Sequence, residues 1–317
     1  MRSAAETTAS AAKTGSVFRY RISGLIVASD FELPGAAPAP AEAPDVAVRL
    51  GRVPSALRSA VDAGPTWALG EEAFLLRVPG VARFLVERGR RIAVELEPGA
   101  RLRAAAPFVL GAAFGVLLHQ RGAAVLHGAA VAEDGAAMVI CGESGAGKST
   151  LAAALCREGL TFVADDLCLV GLDAERRPLV APDGRQLKLW RDAIEQLAVG
   201  ERRGDPVVED VAKYFVEPEV AVAAPPRLTA IYILREAKPP LQEGIEPLSL
   251  PDAMRMLDIQ AYRPRLRERL TAASAKLAQG AAIMGHARVF TLTRPRGFEH
   301  LPGTVAALSA HWRGLAR

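Results

Sequence analysis

With 317 residues, half of them apolar, the chain is long enough to bury the core of one large domain or two modest ones. Its 39 Lys and Arg against 35 Asp and Glu leave a formal charge of +4 scattered along the chain, with 5% aromatic residues; this favours anions but argues against a nucleic-acid binder, which needs a concentrated basic face and stacking rings. Cys141, Cys156 and Cys168 lack the short paired spacing of a zinc site and are expected as reduced core thiols, which points to the cytosol.

Residues 1–15 are rich in Ala, Ser and Thr and carry Arg2, Glu6 and Lys13, so they lack the apolar stretch of a secretory signal and are expected as a disordered leader. From 17 to about 101, short apolar stretches at 18–27, 45–50, 74–78, 84–86 and 92–96 alternate with Gly, Pro and charged turns, predicting a β-rich N-terminal domain over 16–103. The Pro- and Ala-dominated segment 34–44 is expected as an exposed loop inside it. The longest uncharged apolar run, 104–118, is broken by Pro107 and is too short to span a bilayer, so a buried helix over 106–120 and no membrane association are expected.

Short strands are predicted at 124–126 and 129–132. Asp134-Gly135 then supplies a two-residue turn into an apolar run at 137–141, so the strand that follows should be half of a hairpin. That run feeds Gly142-Glu143-Ser144-Gly145-Ala146-Gly147-Lys148-Ser149-Thr150, which fills every position of a P-loop. Glycines at 142, 145 and 147 let successive backbone N–H groups turn inward around phosphate oxygens. Lys148 should reach the β- and γ-phosphates and Ser149 should hold Mg²⁺, while the helix beginning here presents its positive end to the anion. Leu151 and Leu155 recur on one face of that helix, and Gly159 should end it.

Between apolar flanks, Asp165-Asp166 is costly to bury unless a cation or a proton-transfer partner offsets it, and Mg²⁺ is the expected partner. Asp165 follows Lys148 by only 17 residues, one helix and one strand away. Motor and transporter ATPases place their acidic strand much farther along, whereas small kinases use such a short return to set an acid near both metal and acceptor hydroxyl. His127, in Val125-Leu126-His127-Gly128, should end a strand beside the P-loop strand, with Gly128 allowing close backbone approach.

Together, Leu126-His127-Gly128, the loop at 142–150 and Val163-Ala164-Asp165-Asp166 resemble the catalytic domain of bacterial HPr kinase/phosphorylase, a family that shares its nucleotide fold with phosphoenolpyruvate carboxykinases. The resemblance is dense over about 45 residues around the P-loop. It implies an α/β kinase domain with a mixed sheet over 104–317, using ATP and Mg²⁺ and acting on a serine hydroxyl of a peptide or protein. Lys148 resembles the phosphate-binding lysine of that family and Ser149 its metal-binding hydroxyl. Asp165 would assist at the metal, and Asp166, with His127 nearby, would accept the proton of the attacking serine; such coupled neighbours can share both tasks. The N-terminal region, opening Tyr20-Arg21-Ile22-Ser23-Gly24-Leu25, departs from the usual HPr-kinase N-terminal domain, and no segment matches the one associated with dephosphorylation of phospho-HPr. The layout is more similar to HPr-kinase-like serine kinases associated with lasso-peptide biosynthesis, whose substrate is the precursor peptide. The N-terminal domain is then expected to recognise the peptide; HPr-type kinases are hexameric, but the different N-terminal domain does not carry that state over, and a homo-oligomer is left open.

Weaker candidates lie downstream. Residues 186–190 alternate as a strand, with Lys188 opposite the face of Leu187 and Leu189 and expected as a solvated edge charge. Lys213 is expected as surface packing beside Tyr214 and Phe215 rather than as a neutraliser of transferring charge. In the basic stretch 262–269, Arg265 and Arg269 share a helical face and are expected as a solvated face supported by Glu268. Arg263, fixed just before a proline, is expected to contact the nucleotide. A strand at 228–234, a helix at 251–260 and a strand at 289–292 before Arg294 complete the domain. Two rivals stand beside a serine kinase: a small-molecule kinase, against which the hairpin and His127 argue, and a nucleotide-dependent binding module or switch with weak ATPase activity.

Overall fold

The computed structural model describes residues 17–208, 211–218, 222 and 224–315; the leader expected at 1–15 lies outside the described residues. The chain forms a mixed α/β structure with two large sheets and a small three-stranded one.

Among the described residues the first sheet has nine strands. Its apolar run at 18–27 folds as two strands, Phe18–Ile22 and Leu25–Ser29, because Ser23 and Gly24 both take positive φ (49° and 78°) and close a tight hairpin. Strands Val46–Leu50, Ala73–Val78, Ala82–Glu87 and Arg91–Leu96 match the apolar stretches of the sequence. Three short strands had no such signal: Ala37–Pro38, Asp62–Gly64 and Trp67–Leu69. Ala37–Pro38 lies inside the segment expected as a loop and pairs with Tyr20 and Arg21 at the sheet edge. Two residues suffice for that pairing because backbone groups, not an alternating side-chain pattern, make the bonds.

The apolar helix starts earlier than predicted and has three parts, Leu102–Phe108, a widened π segment Val109–Ala113, and Phe114–Gln120. Pro107 sits inside it, where it offers no N–H, and the helix widens directly after. By length and composition this stretch could cross a membrane, yet 67% of it is buried inside the molecule. Phe114, Leu117 and Leu118 pack with Phe74, Phe84 and Ile92 of the first sheet in one core.

In the second sheet, Gly128–Glu133 and Ala136–Cys141 form the expected hairpin around Asp134 and Gly135 (φ 51° and 75°). Thr161–Asp165 pairs antiparallel with the first of these strands. On the other side Arg227–Glu236 runs parallel to the strand Ala136–Cys141, and Arg288–Arg294 runs parallel to Arg227–Glu236. Met138 and Ile140 point into a core with Leu151 and Leu155 of helix Lys148–Arg157 and with the C-terminal helix Leu301–Leu315. Val139 and Cys141 point the other way, into a core with Leu257 and Ile283 from helices Leu250–Ile259 and Ala273–Met284. A strand covered on both faces must be apolar at every position, which is why 137–141 shows no alternation. Strands Leu187–Trp190, Lys213–Val216 and Arg203–Pro206 make the small third sheet beside the acidic strand.

Candidate active site

The P-loop joins the end of strand Ala136–Cys141 to helix Lys148–Arg157. Gly142, Gly145 and Gly147 take φ of 149°, 79° and 88°. Gly147 is required twice over. Its left-handed backbone disfavours a Cβ, and a Cβ there would lie 2.7 Å from Nη2 of Arg294. Lys148 is buried, and its amine donates to the carbonyls of Gly142 (2.9 Å) and Glu143 (3.0 Å), folding back across its own loop. Burial lowers its pKa, against the opposing pull of Cys141, Asp166 and Asp165. Cys141 itself is a buried thiol with its pKa pushed up to about 12, and burial likewise raises Cys168, so neither offers a thiolate.

Asp165 closes the strand Thr161–Asp165 at the head of the P-loop helix. Its Oδ1 accepts the Ser149 hydroxyl at 2.7 Å and its Oδ2 accepts the Lys188 backbone N–H at 3.2 Å. Asp166 follows in a left-handed conformation (φ 68°), which turns the chain toward strand Cys168–Leu172, and its Oδ2 accepts from the Lys188 amine at 2.8 Å. The two neighbours therefore differ electrostatically. Burial, and then the charge of Asp166, push the Asp165 pKa up to about 6. Burial acts on Asp166 too, but the charge and hydrogen bond of Lys188, with Lys213 and Arg185, outweigh it and hold that carboxyl below the usual range.

His127 falls between two strands rather than at the end of one beside the P-loop. Ala124–Leu126 pairs with Cys168–Leu172, and only from Gly128 onward does the chain pair with the P-loop strand. Gly128 has the predicted reason to be glycine, since a Cβ would lie 2.8 Å from the Ile140 carbonyl. The switch between partners sets His127 next to the acids. Its Nδ1 donates to the Asp166 carbonyl at 3.1 Å, in the tautomer this bond requires. Burial, and then Lys148, lower its pKa, so the ring is neutral at neutral pH and Nε2 keeps a lone pair.

Asp165 is buried and does not line the cleft that the other groups share, a space of about 390 Å³ whose walls include His127, Lys148, Ser149, Asp166, Lys188 and Arg294. Lys188 corrects its expected role: its side chain is only 11% exposed and is ion-paired with Asp166, because the strand faces the acids rather than solvent. Lys213 lines the cleft as well as packing on an aromatic, its amine lying 6.0 Å from the centre of the exposed Trp190 ring. Arg265 and Arg269 are exposed, as expected of a solvated face, but their carboxylate partner is Asp62 of the first sheet, while Glu268 binds Lys276. Arg263 is not among the residues lining the cleft; it is exposed, with its guanidinium 5.7 Å over Tyr262. Its left-handed conformation before Pro264 fixes it there (φ 48°). Gly142 and Glu143 line a second cavity, which shares Ala146, Arg294 and Arg296 with the first.

Arg294, which the sequence offered only as the residue after a strand, lines the cleft where Arg263 does not. It ends strand Arg288–Arg294, its Nη2 donates to the Ala146 carbonyl at 2.7 Å and its Nη1 to the Pro295 carbonyl at 3.0 Å, and its buried Nε has no hydrogen-bond partner among the described residues. Among the described residues no group of three or more His, Cys, Asp or Glu side chains suits a metal ion. The donors present instead fit an Mg²⁺ that takes its remaining oxygens from phosphate and water: a hydroxyl at Ser149 and a carboxylate at Asp165, 2.7 Å apart.

No family model matches the chain, and no curated protein matches it. Among solved structures it is similar to the Hpr(Ser) kinase/phosphatase from Coxiella burnetii, with 13% identity over 61% of this chain and 99% of that one, and a TM-score of 0.32. A likeness so remote carries no argument about chemistry.

Proposed function

We propose that the protein is an ATP-dependent kinase that moves the γ-phosphoryl group to a serine hydroxyl of a peptide or protein. The observation that carries this reading is the contrast between the two acids: Asp165 is buried and bonded to the P-loop Ser149, and Asp166, held ionised by Lys188, lines the cleft that Ser149 also lines. One carboxylate serves the metal end of the nucleotide, and its neighbour faces the space an acceptor must enter.

Backbone N–H groups of 143–148 and Lys148 bind the phosphates, and Ser149 and Asp165 would hold Mg²⁺, which neutralises charge on the β- and γ-oxygens when bound. Asp166 accepts a hydrogen bond from the acceptor hydroxyl and aligns it. A carboxylate held below its usual pKa is a weak proton acceptor, which suits a transition state in which the bond to the entering oxygen is barely formed and the proton leaves late. The lone pair of His127 Nε2 provides a second acceptor at the same wall. Lys188 and Lys213 offset charge on the transferring group.

The resemblance in the sequence favours a serine-bearing precursor peptide of the lasso class as acceptor. The direct test is incubation with Mg·ATP and such a peptide, followed by mass measurement of the peptide. Addition of one phosphate on serine is expected. Hydrolysis of ATP without peptide modification, across serine peptides and small alcohols alike, would favour the nucleotide-dependent switch instead.

A further inference from the structure

Behind the acid pair lies an ion pair that the chemistry above does not use. Arg185 Nε meets Asp183 Oδ1 at 2.6 Å, with the two side chains 2% and 1% exposed. Arg185 Nη1 donates to the Leu110 carbonyl in the π segment at 2.5 Å, and Nη2 has no hydrogen-bond partner among the described residues.

The segment carrying this pair is tied to both large sheets. Toward the first sheet, the Ser23 N–H donates to the Asp183 carbonyl (2.8 Å), Ala37 N–H to the Gly184 carbonyl (2.6 Å) and Gln186 N–H to the Gly35 carbonyl (2.8 Å). Toward the acidic strand, Asp183 N–H donates to the Val163 carbonyl (2.8 Å), and Asp183 Oδ2 stands 3.5 Å from the Asp165 N–H. The approach to the first sheet is so close that a Cβ on Gly184 would fall 1.9 Å from the Arg21 carbonyl. Three residues beyond Arg185 comes Lys188, whose N–H binds Asp165 and whose amine binds Asp166. The N-terminal sheet, the helix at 102–120 and the catalytic acids thus meet at 183–188.

Stability alone does not account for charges in this place. Taking two ions out of water costs several kcal/mol each, and well-packed apolar residues of similar volume commonly hold a fold as well or better. What apolar residues would not supply is a fixed cation behind the acids and a fork that bonds Asp183 and the Leu110 carbonyl at once.

We propose that Arg185, through Asp183, is a positioning residue: it fixes the segment 183–188 so that Lys188 sits on both catalytic acids, which makes the N-terminal sheet part of the active-site scaffold. This inference rests on the kinase reading given above.

The test replaces both charges with apolar side chains, Asp183→Leu with Arg185→Met, and compares this variant with Arg185→Lys and the wild type. Melting temperature, ATP affinity by calorimetry, and turnover measured both as phosphate transfer to a serine peptide and as slow hydrolysis of ATP are followed together. The apolar double variant is expected to melt at or above the wild-type temperature, to bind ATP within about threefold, and to lose at least tenfold in turnover. Arg185→Lys, which keeps the charge but not the fork, should recover part of that loss. Turnover within about twofold of wild type in the double variant overturns the proposal, as does a turnover loss matched by an equal loss of ATP affinity, which marks a merely structural pair. Should the double variant not fold, Arg185→Lys decides alone: reduced turnover with unchanged ATP affinity supports positioning, and unchanged turnover overturns it. A wild type that hydrolyses ATP but transfers nothing to serine defeats the kinase reading separately, while hydrolysis still reports on Arg185.

Discussion

Gly147→Ala offers a quantitative test of how the phosphate cradle is held. The left-handed backbone at 147 (φ 88°) costs an L-residue roughly 1–2 kcal/mol. The added Cβ would lie 2.7 Å from Arg294 Nη2, displacing the guanidinium from the Ala146 carbonyl. A hydrogen bond from a charged donor contributes about 1.5–3 kcal/mol, and the flexible end of Arg294 places the loss at the lower end of that range. The sum, about 3 kcal/mol, corresponds to roughly a hundredfold loss of ATP affinity if the strain falls on the closed loop. Calorimetric titration with Mg·ATP measures it. In an Arg294→Ala background the clash disappears, so Gly147→Ala should then cost only the backbone share, leaving a coupling of about 1.5 kcal/mol between the two sites. Additive losses would refute the claim that Arg294 braces the loop.

Three further outcomes are expected. Asp166→Asn should keep ATP affinity within a few fold while phosphate transfer falls by about 10²–10⁴, as single-turnover kinetics would show; near-normal transfer would remove Asp166 from the reaction. Lys188→Met leaves the Asp166 carboxylate without its cation. Breaking a fully buried pair costs about 3–5 kcal/mol, and the partial exposure of Asp166 brings the expected loss of stability to about 2 kcal/mol by urea denaturation. His119 gives a pH dependence. It is buried and its Nε2 donates to the Tyr262 carbonyl; burial, helped by the charge of Arg267, outweighs the backbone contacts at Tyr262 and Ala123 and lowers its pKa below 6.5. The unfolded chain then binds the extra proton first, so this contribution to stability is complete above about pH 6.5 and is lost as the pH falls. His119→Gln, which can still donate to Tyr262, should flatten the decline in unfolding free energy between pH 7 and 5.

The sequence by itself determined what short stretches of backbone decide. The hairpin turn at Asp134-Gly135, the glycines that close the P-loop, the helix from Lys148 to its end before Gly159, and the acid pair one strand later all follow from local conformational limits. Their spacing carries them to one place, because a strand, a loop and a helix in succession leave little choice of return path. One departure is local in origin as well: the split of 18–27 at Ser23-Gly24 was written in a turn that the apolar run concealed.

What only the tertiary structure decided is which distant side chains meet that apparatus. Lys188, Arg263 and Arg294 look alike in sequence, as cations beside strands or prolines. Folding places Lys188 on Asp166, leaves Arg263 exposed over Tyr262, and brings Arg294 across 148 positions of chain to the Ala146 carbonyl. The buried pair Asp183–Arg185 is equally silent in sequence, since its effect arises from burial and from contacts with Leu110, Ser23 and the acidic strand. A charge acquires its role from the dielectric around it and the partners within about 4 Å, and both are set by packing between segments far apart in the chain. The loop at 142–150 that was legible at once is therefore only part of the cleft, and Lys188, Lys213 and Arg294 join its walls only through the tertiary fold.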